Sequence, residues 1–250
     1  MISVIIPALN EERVLPETLR ALFHQQGVYE VLVVDGGSTD RTTEIVKQFD
    51  VRRSTYGPGP WDAEPRTSHV VRRTPTLRVL GAPKGRASQM NVGAKVASGE
   101  WLLFLHADTC LPAGALARLN ALETDPSVQA GGFLHRFSGD DWRLRLVSFL
   151  DNLRCRGSRI IYGDQAMFVR RALFERLGGF PDQPILEDVA FCDKLVRVTR
   201  PVLLSPPAVT DSRKFVQMGV WRSFARVLLI ILHVQFHVPV LPRAFFRDVR

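Results

Sequence analysis

Acidic and small residues follow three apolar runs in the first half of the chain, where they could bind a ligand. Pro7-Ala8-Leu9-Asn10-Glu11 follows the first run, Asp35-Gly36-Gly37-Ser38 the second, and His106-Ala107-Asp108 a later one. In open α/β sheets, ligands bind beyond the carboxyl ends of the strands, near a change in strand order. Each acid alone could be a helix cap or a turn residue, but Asp35 and Asp108 together predict a nucleotide-sized cleft.

The elements that must position these residues alternate between strand and helix patterns. The apolar spacing predicts strands over Ile2–Ile6, Glu30–Val34, Leu77–Leu80 and Trp101–Leu105. Helices are predicted after Asn10, after Asp40 and over Arg86–Ala97, with Asp40 as the cap of the second. Strands that alternate with helices of about a dozen residues indicate an α/β fold with a mostly parallel, Rossmann-like sheet.

The pattern is less regular in the second half and breaks once in the first. Further elements are predicted near Gln129–Arg136 (strand), Trp142–Arg154 (helix), Gln165–Val169 (strand), Leu186–Arg197 (helix) and Val216–Val234 (amphipathic helix). Residues 51–76 have no usable period, so we expect a mobile surface insertion there, with an ordered lid over the acceptor as the alternative. The predicted organisation is a main domain over 1–210 and an amphipathic helix with a tail over 211–250.

The composition limits the class of function. The 250 residues carry 33 Lys and Arg against 25 Asp and Glu, a net charge of +8, which favours anionic partners such as nucleotide phosphates or an acidic membrane surface. The basic residues are spread along the chain without a groove-reading module, so nucleic-acid binding is not expected. Three scattered cysteines and the lack of a signal-peptide pattern indicate a cytoplasmic protein.

Four segments occur in a fixed order along the chain: Ser3–Glu12 (SVIIPALNEE), Glu30–Thr42 (EVLVVDGGSTDRT), Gly85–Leu105 and the His-Ala-Asp that follows. Together they resemble the family 2 inverting glycosyltransferases of GT-A fold. The closest likeness is to a small bacterial subgroup that carries GRASQMNVGA and then LFLHADTCLP. The resemblance covers about residues 1–200, apart from the insertion.

The resemblance implies a site for the nucleoside half of a sugar nucleotide. The positions that match the family pattern are Pro7, Ala8, Asn10, Glu11 and Asp35. A carboxylate there accepts hydrogen bonds from a base edge or a ribose, and Gly36 allows close approach of the backbone. Arg86 and Gln89 are expected near the diphosphate, with a solvated helix start as an equal alternative. Arg213, with Lys214, could also close over the diphosphate.

The resemblance also implies a divalent cation. The family's Asp-x-Asp motif appears as His106-Ala107-Asp108, so an imidazole replaces the first acid. Asp108 matches the acid that contacts the metal, and Ala107 lies in the same motif beside the nucleotide sugar. His106 either ligates the cation or donates a hydrogen bond. The cation is Mg²⁺ or Mn²⁺, which bind carboxylate and diphosphate oxygens, and histidine suits Mn²⁺ better than Mg²⁺.

The second half is expected to supply the catalytic base. Glu187-Asp188 resembles the family's acidic pair at a helix start, which implies that Asp188 takes the proton of the acceptor. Two acids at a helix N-terminus also complement the helix dipole. The preceding loop Gly178-Gly179-Phe180, which relatives also carry, favours catalysis. Asp164 is the reserve candidate for the base, or a contact to the sugar or acceptor.

The C-terminal helix bears on location. Trp221, Phe224, Leu228 and Ile231 recur at helical spacing next to basic residues, which is typical of a helix that lies on an anionic membrane surface. Packing against the domain, or against a second copy in a homodimer, is the alternative. The predicted location is therefore cytoplasmic, with peripheral contact to the inner face of the plasma membrane left open.

Two functions from different classes follow. The first is metal-assisted, inverting transfer of a sugar from a nucleoside diphosphate donor, with UDP favoured by the resemblance, to a hydroxyl or carboxyl of a small-molecule or lipid-linked acceptor. The second is a catalytically silent scaffold that binds sugar nucleotides, since the altered Asp-x-Asp motif leaves this open.

Overall fold

The fold is taken from a computed structural model, and its description covers residues 1–56, 75–183 and 185–235. Within these ranges, side chains are described up to residue 49 in the first and up to residue 230 in the last. Among these residues no helix is both long and apolar enough to cross a membrane.

One sheet of eight strands forms the centre of the described chain, in the order β3-β2-β1-β4-β7-β6-β8-β5. The strands are β1 (Ile2–Ala8), β2 (Tyr29–Asp35), β3 (Thr76–Gly81), β4 (Trp101–Phe104), β5 (Thr109–Cys110), β6 (Ala130–Phe137), β7 (Phe168–Arg170) and β8 (Val202–Thr210). The prediction of an α/β fold with a mostly parallel sheet is confirmed.

The first half of the sheet is parallel. β1 pairs with β2 and with β4, and β2 pairs with β3. In this register Ala8 lies beside Asp35, and Asp35 lies beside Gly81. All seven residues of β1 are buried, as expected for a central strand that is covered on both faces. The parallel register brings the loops after β1 and β2 to the same edge of the sheet.

The second half of the sheet is mixed. β7 runs antiparallel to both β4 and β6, β8 runs parallel to β6, and the short β5 runs antiparallel to β8. Through the β5–β8 pair, the backbone N–H of Asp211 donates to the carbonyl of Asp108 over 2.9 Å. The end of β8 is therefore fastened beside the His-Ala-Asp motif.

Helices cover the two faces of the sheet. They are α1 (Leu15–Phe23), α2 (Thr42–Tyr56), α3 (Arg86–Val96), α4 (Ala115–Ala121), α5 (Trp142–Ser158), α6 (Arg171–Arg176), α7 (Glu187–Leu195), α8 (Arg213–Gln217) and α9 (Val220–Gln235). One buried cluster packs α1 and α4 on one face, and a second packs α3, α6 and α7 on the other. α3 lies close to the sheet because residue 93 is a glycine: a Cβ there would lie 2.5 Å from Cγ2 of Ile5, well inside van der Waals contact.

Several sequence predictions need correction. α2 continues to Tyr56 and β3 begins at Thr76, so the first and last residues of the predicted insertion belong to regular elements, and 57–74 lie outside the described residues. The single C-terminal helix is two helices, because Gly219 has a positive φ of 87° between α8 and α9. The predicted strand at Gln165–Val169 begins only at Phe168, after a short 3₁₀ turn at Gly163–Gln165.

Candidate active site

The loops after β1 and β2 hold each other in place at the predicted nucleoside site. Asn10 has a positive φ of 56°, and its amide oxygen accepts the backbone N–H of Thr39 over 2.8 Å. The carboxylate of Asp35 accepts the backbone N–H groups of Gly37 and Ser38 at 3.0 and 3.1 Å. Pro7 and Ala8 belong to β1 itself, so all these predicted residues lie at one sheet edge.

Gln89 connects α3 to that edge. Its side-chain Nε2 donates to the carbonyls of Ala8 and Val34, each over 2.7 Å, and the residue is buried. A Cβ on Gly36 would lie 3.0 Å from the Gln89 amide carbon, so glycine lets the two approach. Gln89 thus fixes the strand ends, a structural role that the sequence prediction did not include.

A polar cleft of about 280 Å³ opens at this end of the sheet. Lys214 lies across it, with Nζ 3.6 Å from Oε1 of Glu11. Burial raises the pKa of Glu11, and the Asp108 carboxylate adds to that effect, while Lys214 offsets part of it. The cleft is lined by Asn10, Glu11, Glu12, Arg13, Val14, Asp40, Asp108, Asp211, Arg213, Lys214 and Gln217.

Asp211 is a site residue that the sequence analysis did not predict. It lines the polar cleft beside Asp108. The Nε–H of Arg213 donates to both carboxylate oxygens of Asp211, each at 2.9 Å. The guanidinium of Arg213 is therefore held at the cleft by a neighbouring acid. In the sequence, only the neighbouring cations Arg213 and Lys214 could have pointed to Asp211 as a site residue. Its hydrogen bond to the Asp108 backbone could not be predicted, because that bond depends on the pairing of β5 with β8.

The His-Ala-Asp motif fits a cation that also needs ligands from the substrate. No three His, Cys, Asp or Glu side chains of the described ranges form a metal site by themselves. The Asp108 carboxylate accepts a long hydrogen bond from Thr109 Oγ1 (3.4 Å) and faces the cleft. One or two carboxylates completed by phosphate oxygens and waters is a usual arrangement for Mg²⁺.

The surroundings of His106 favour the neutral imidazole, the form that can ligate a metal. Burial, together with the nearby cations Arg86 and Lys214, holds the pKa of His106 well below its usual value of 6.5. Neutral imidazole presents a free ring nitrogen, whereas the imidazolium does not. The same ring could instead donate a hydrogen bond from its other nitrogen.

Asp188 lies where the two halves of the predicted site meet. Its Oδ2 accepts the backbone N–H of Gly163 over 2.6 Å, and Oδ1 accepts the N–H of Val189 over 2.8 Å. A Cβ on Gly163 would collide with the His106 imidazole and would lie 3.3 Å from Asp188 Oδ2. The glycine therefore brings the His-Ala-Asp motif and the acidic pair of α7 into contact.

The positive charge of Arg86 in α3 offsets the negative charge of Glu187 and Asp188. Arg86, the first residue of that helix, places Nη1 3.7 Å from Oε1 of the buried Glu187. Burial raises the pKa of Asp188, and Arg86 offsets part of this increase. A carboxylate of raised pKa is a stronger proton acceptor, which suits a general base.

A buried histidine stands behind Asp164. His135 of β6 places Nε2 3.5 Å from Asp164 Oδ2 and Nδ1 3.8 Å from Asp151 Oδ2. Burial raises the pKa of Asp164 to about 6, while His135 lowers it and the carboxylates of Asp151 and Asp188 raise it. His135 and Asp151 were missed because neither belongs to a recognisable sequence motif.

The loop before the acidic pair is fastened to α3. The side chain of Asn91 donates to the carbonyl of Phe180 over 2.8 Å and accepts its N–H over 3.0 Å. Gly179 has a positive φ of 68° next to the same side chain. The Gly-Gly-Phe segment thus helps to fix the approach to α7.

Comparison with known protein families decides the assignment. The family model described as "Glycosyl transferase family 2" matches residues 3–59 and 65–178. The chain belongs to this family. The match covers the strand ends, the His-Ala-Asp motif and Asp164, while Glu187 and Asp188 follow it. Membership of glycosyltransferase family 2, which the four sequence segments predicted, is confirmed.

Family 2 relatives and structures extend the comparison. The "PGL/p-HBAD biosynthesis glycosyltransferase" of Mycobacterium bovis (strain BCG / Pasteur 1173P2) is 35% identical over 189 residues, covering 72% of the chain and 63% of the relative. The chain thus spans less than two thirds of the length of this relative.

Two solved structures share the family 2 fold. The mannosyltransferase PcManGT from Pyrobaculum calidifontis, in complex with GDP-Man and Mn²⁺, has a TM-score of 0.68 at 23% identity, covering 98% of this chain and 67% of its own. S. aureus TarS 1-349 in complex with UDP has a TM-score of 0.61 at 20% identity, and the match covers 100% of this chain and 75% of the TarS chain. The predicted GT-A fold is confirmed.

Proposed function

We propose that this chain is an inverting glycosyltransferase that moves a sugar from a nucleoside diphosphate donor to an acceptor hydroxyl or carboxyl. The observation that carries the proposal is the contact between Gly163, Asp188 and His106, which joins a general base to the motif that faces the diphosphate. Family membership supports the reaction class, while the residues above support its steps.

The donor nucleoside binds at the ends of β1 and β2. Asn10, Glu11 and the Asp35 loop offer amide, carboxylate and backbone groups to a ribose and a base edge. Arg86, Arg213 and Lys214 supply positive charge for the diphosphate. The complexes of PcManGT with GDP-Man and of TarS with UDP support a sugar nucleotide, and UDP is the nucleotide proposed for this chain.

A divalent cation, Mn²⁺ or Mg²⁺, is proposed to bind Asp108 together with the diphosphate, with neutral His106 as a further ligand or hydrogen-bond donor. When bound, such an ion stabilises the negative charge that builds on the leaving diphosphate. The Mn²⁺ named in the PcManGT complex supports this choice.

Asp188 performs the proton transfer. Its carboxylate takes the proton of the acceptor O–H while the oxygen forms a bond to the anomeric carbon. The bond from that carbon to the diphosphate oxygen breaks, and its electron pair leaves with the nucleoside diphosphate. Attack opposite the leaving group inverts the anomeric centre. Asp164, held against His135, contacts the sugar or the acceptor in this proposal.

A catalytically silent scaffold would require no base. The half-buried carboxylate of Asp188, whose pKa is raised and which lies beside the His-Ala-Asp motif, supports the enzyme instead. The acceptor is proposed to be a small molecule or a lipid-linked group.

Calorimetric titration with UDP, GDP and dTDP, each with and without Mn²⁺, tests the donor site. Binding of one nucleotide that Mn²⁺ strengthens is the expected result. Failure of all three nucleotides to bind in either condition would remove the donor site from the proposal.

A further inference from the structure

Helix α5 exposes an apolar stripe to solvent. Trp142, Phe149 and Leu153 are 64%, 59% and 56% exposed, and Leu146 and Leu150 lie between them at 37% and 38%. Their spacing of three and four residues places them on one side of the helix. The opposite side, with Leu144 and Val147, is buried, so the stripe is additional to the face that packs on the domain.

The stripe continues onto α9. The ring centroids of Trp142 and Trp221 lie 6.1 Å apart, and Val220 packs between the helices with Leu144 and Val147. We call this shared surface the α5–α9 face. Its exposed members are Trp142, Leu146, Phe149, Leu150, Leu153, Trp221, Val227 and Leu228. Contiguous exposed apolar surface of this kind marks an interaction site, whereas single exposed apolar residues do not.

The charge beside this face favours an anionic partner. Helix α9 carries two cations, Arg222 and Arg226, and no acid. On α5, Arg143 and Arg145 are neutralised by Asp141 and Asp140, but Arg156 at its end is exposed and has no ion pair among the described residues. Tryptophan and other apolar residues flanked by arginines are the composition of surfaces that lie in an anionic lipid headgroup region.

A second cleft adjoins the polar cleft of the site. It has a volume of about 530 Å³ and a mostly apolar lining, and it runs along the α8–α9 side. Gln217 lines both this cleft and the polar cleft that holds Asp108 and Lys214. The second cleft is lined by Gln217, Met218, Arg222, Ser223, Ala225, Arg226 and Leu229.

We infer that the α5–α9 face docks onto an anionic lipid bilayer and that the acceptor is lipid-linked, reaching the site past Gln217. The docking stands on the exposed side chains and the charge alone. The nature of the acceptor rests on the proposed function. Bilayer contact would bury the aromatic stripe, while Arg222 of α9, which also lines the second cleft, would lie near the lipid headgroups.

Vesicle flotation of the full chain tests the docking, without donor or acceptor present. The vesicles are phosphatidylcholine alone and phosphatidylcholine with phosphatidylglycerol. The expected result is binding to the anionic vesicles that falls as salt rises. The double variant Phe149→Ser/Leu153→Ser should bind at least about tenfold more weakly, because two large side chains no longer enter the apolar layer. The matched control is Val28→Ser/Val198→Ser, which removes two exposed apolar side chains elsewhere (45% and 51% exposed) and should bind as the wild type does.

Three results would overturn the inference. The first is a wild-type chain that does not bind anionic vesicles, and the second is a double variant that binds them as well as the wild type does. The third is a wild-type dimer in light scattering that the double variant converts to a monomer, because a second copy would then cover the face. Nucleotide binding by the double variant should stay unchanged, which separates failure of the docking from failure of the donor site.

Discussion

The backbone N–H of Gly163 donates to Oδ2 of Asp188 over 2.6 Å, and this hydrogen bond holds the proposed base beside His106. Space for the contact exists because residue 163 has no side chain. The Gly163→Ala variant should therefore displace Asp188 or the imidazole. We expect nucleotide release from the donor to fall by about tenfold to a hundredfold, since small misplacements of a catalytic group have effects of that size.

The control for this variant is Gly157→Ala in α5, where an added Cβ would meet nothing within 4 Å. Both variants should keep the wild-type circular dichroism spectrum. Equal activity of the two variants would show that the Gly163 contact does not position the base.

The His135–Asp164 pair predicts a pH effect. The pKa of Asp164 is about 6, with burial raising it and His135 lowering it. If ionised Asp164 contributes to turnover, activity falls as the pH drops through about 6. His135→Gln removes a group that lowers the pKa of Asp164. The acidic limb of the pH–rate profile should therefore move to higher pH. Because Asp164 and Asp188 influence each other, the limb reports the pair rather than one residue.

A pH–rate profile of nucleotide release measures this shift. His24→Gln, which changes an exposed histidine, is the control and should leave the profile in place. A His135→Gln limb that coincides with the wild-type limb would argue against a link between His135 and the site.

Asp108→Ala should remove the effect of metal on donor binding. The carboxylate faces the polar cleft and accepts one long hydrogen bond, so its loss should disturb the fold little. Nucleotide binding without Mn²⁺ should change little, while the strengthening by Mn²⁺ should disappear. Calorimetry measures both, with the exposed Glu175→Ala as the control acid. Undiminished strengthening by Mn²⁺ in Asp108→Ala would place the cation elsewhere.

Arg86→Ala should weaken binding of the diphosphate more than that of the nucleoside. Its guanidinium lies within 3.7 Å of Glu187 and is half exposed, so it can reach a ligand. A charge-assisted hydrogen bond of this kind corresponds to about tenfold or more in affinity. We expect UDP affinity to fall by that factor and uridine affinity to stay the same. Lys95→Ala, at the far end of the same helix, should bind both as the wild type does.

The nucleoside side of the site could be predicted because its residues directly follow short apolar runs in the sequence. β1, β2 and β4 are short apolar runs, and the residues after them carry the family pattern. Parallel pairing then brings Ala8 and Asp35 together without any further information. The positions of the strand ends could therefore be predicted from the pattern of apolar residues and the fold class alone.

β8 could not be predicted because its sequence contains Pro206 and Pro207. Prolines normally argue against an internal strand. In the structure, the pairing with β6 skips from Leu204 opposite Phe133 to Ala208 opposite His135, so both prolines fall in the irregular part of the register. The two residues of β5 are too few for any period.

The contacts behind Asp164 and across the polar cleft depend on tertiary structure. His135 meets Asp164 because β6 passes behind the 3₁₀ turn, and Lys214 meets Glu11 because β8 delivers α8 to the cleft. Each pair is separated by tens to hundreds of residues in the sequence. Residue types alone gave no sign of either pairing.

Release of nucleoside diphosphate from a panel of UDP-, GDP- and dTDP-sugars, with membrane lipids or water as the acceptor of the sugar, tests the central claim most directly. The wild-type chain should release one nucleotide, and Asp188→Asn should be at least about a hundredfold slower while binding the same donor by calorimetry. An Asp188→Asn chain that releases nucleotide at the wild-type rate, or a wild-type chain that binds the donors and releases none in the presence of membrane lipids and Mn²⁺, would contradict the account.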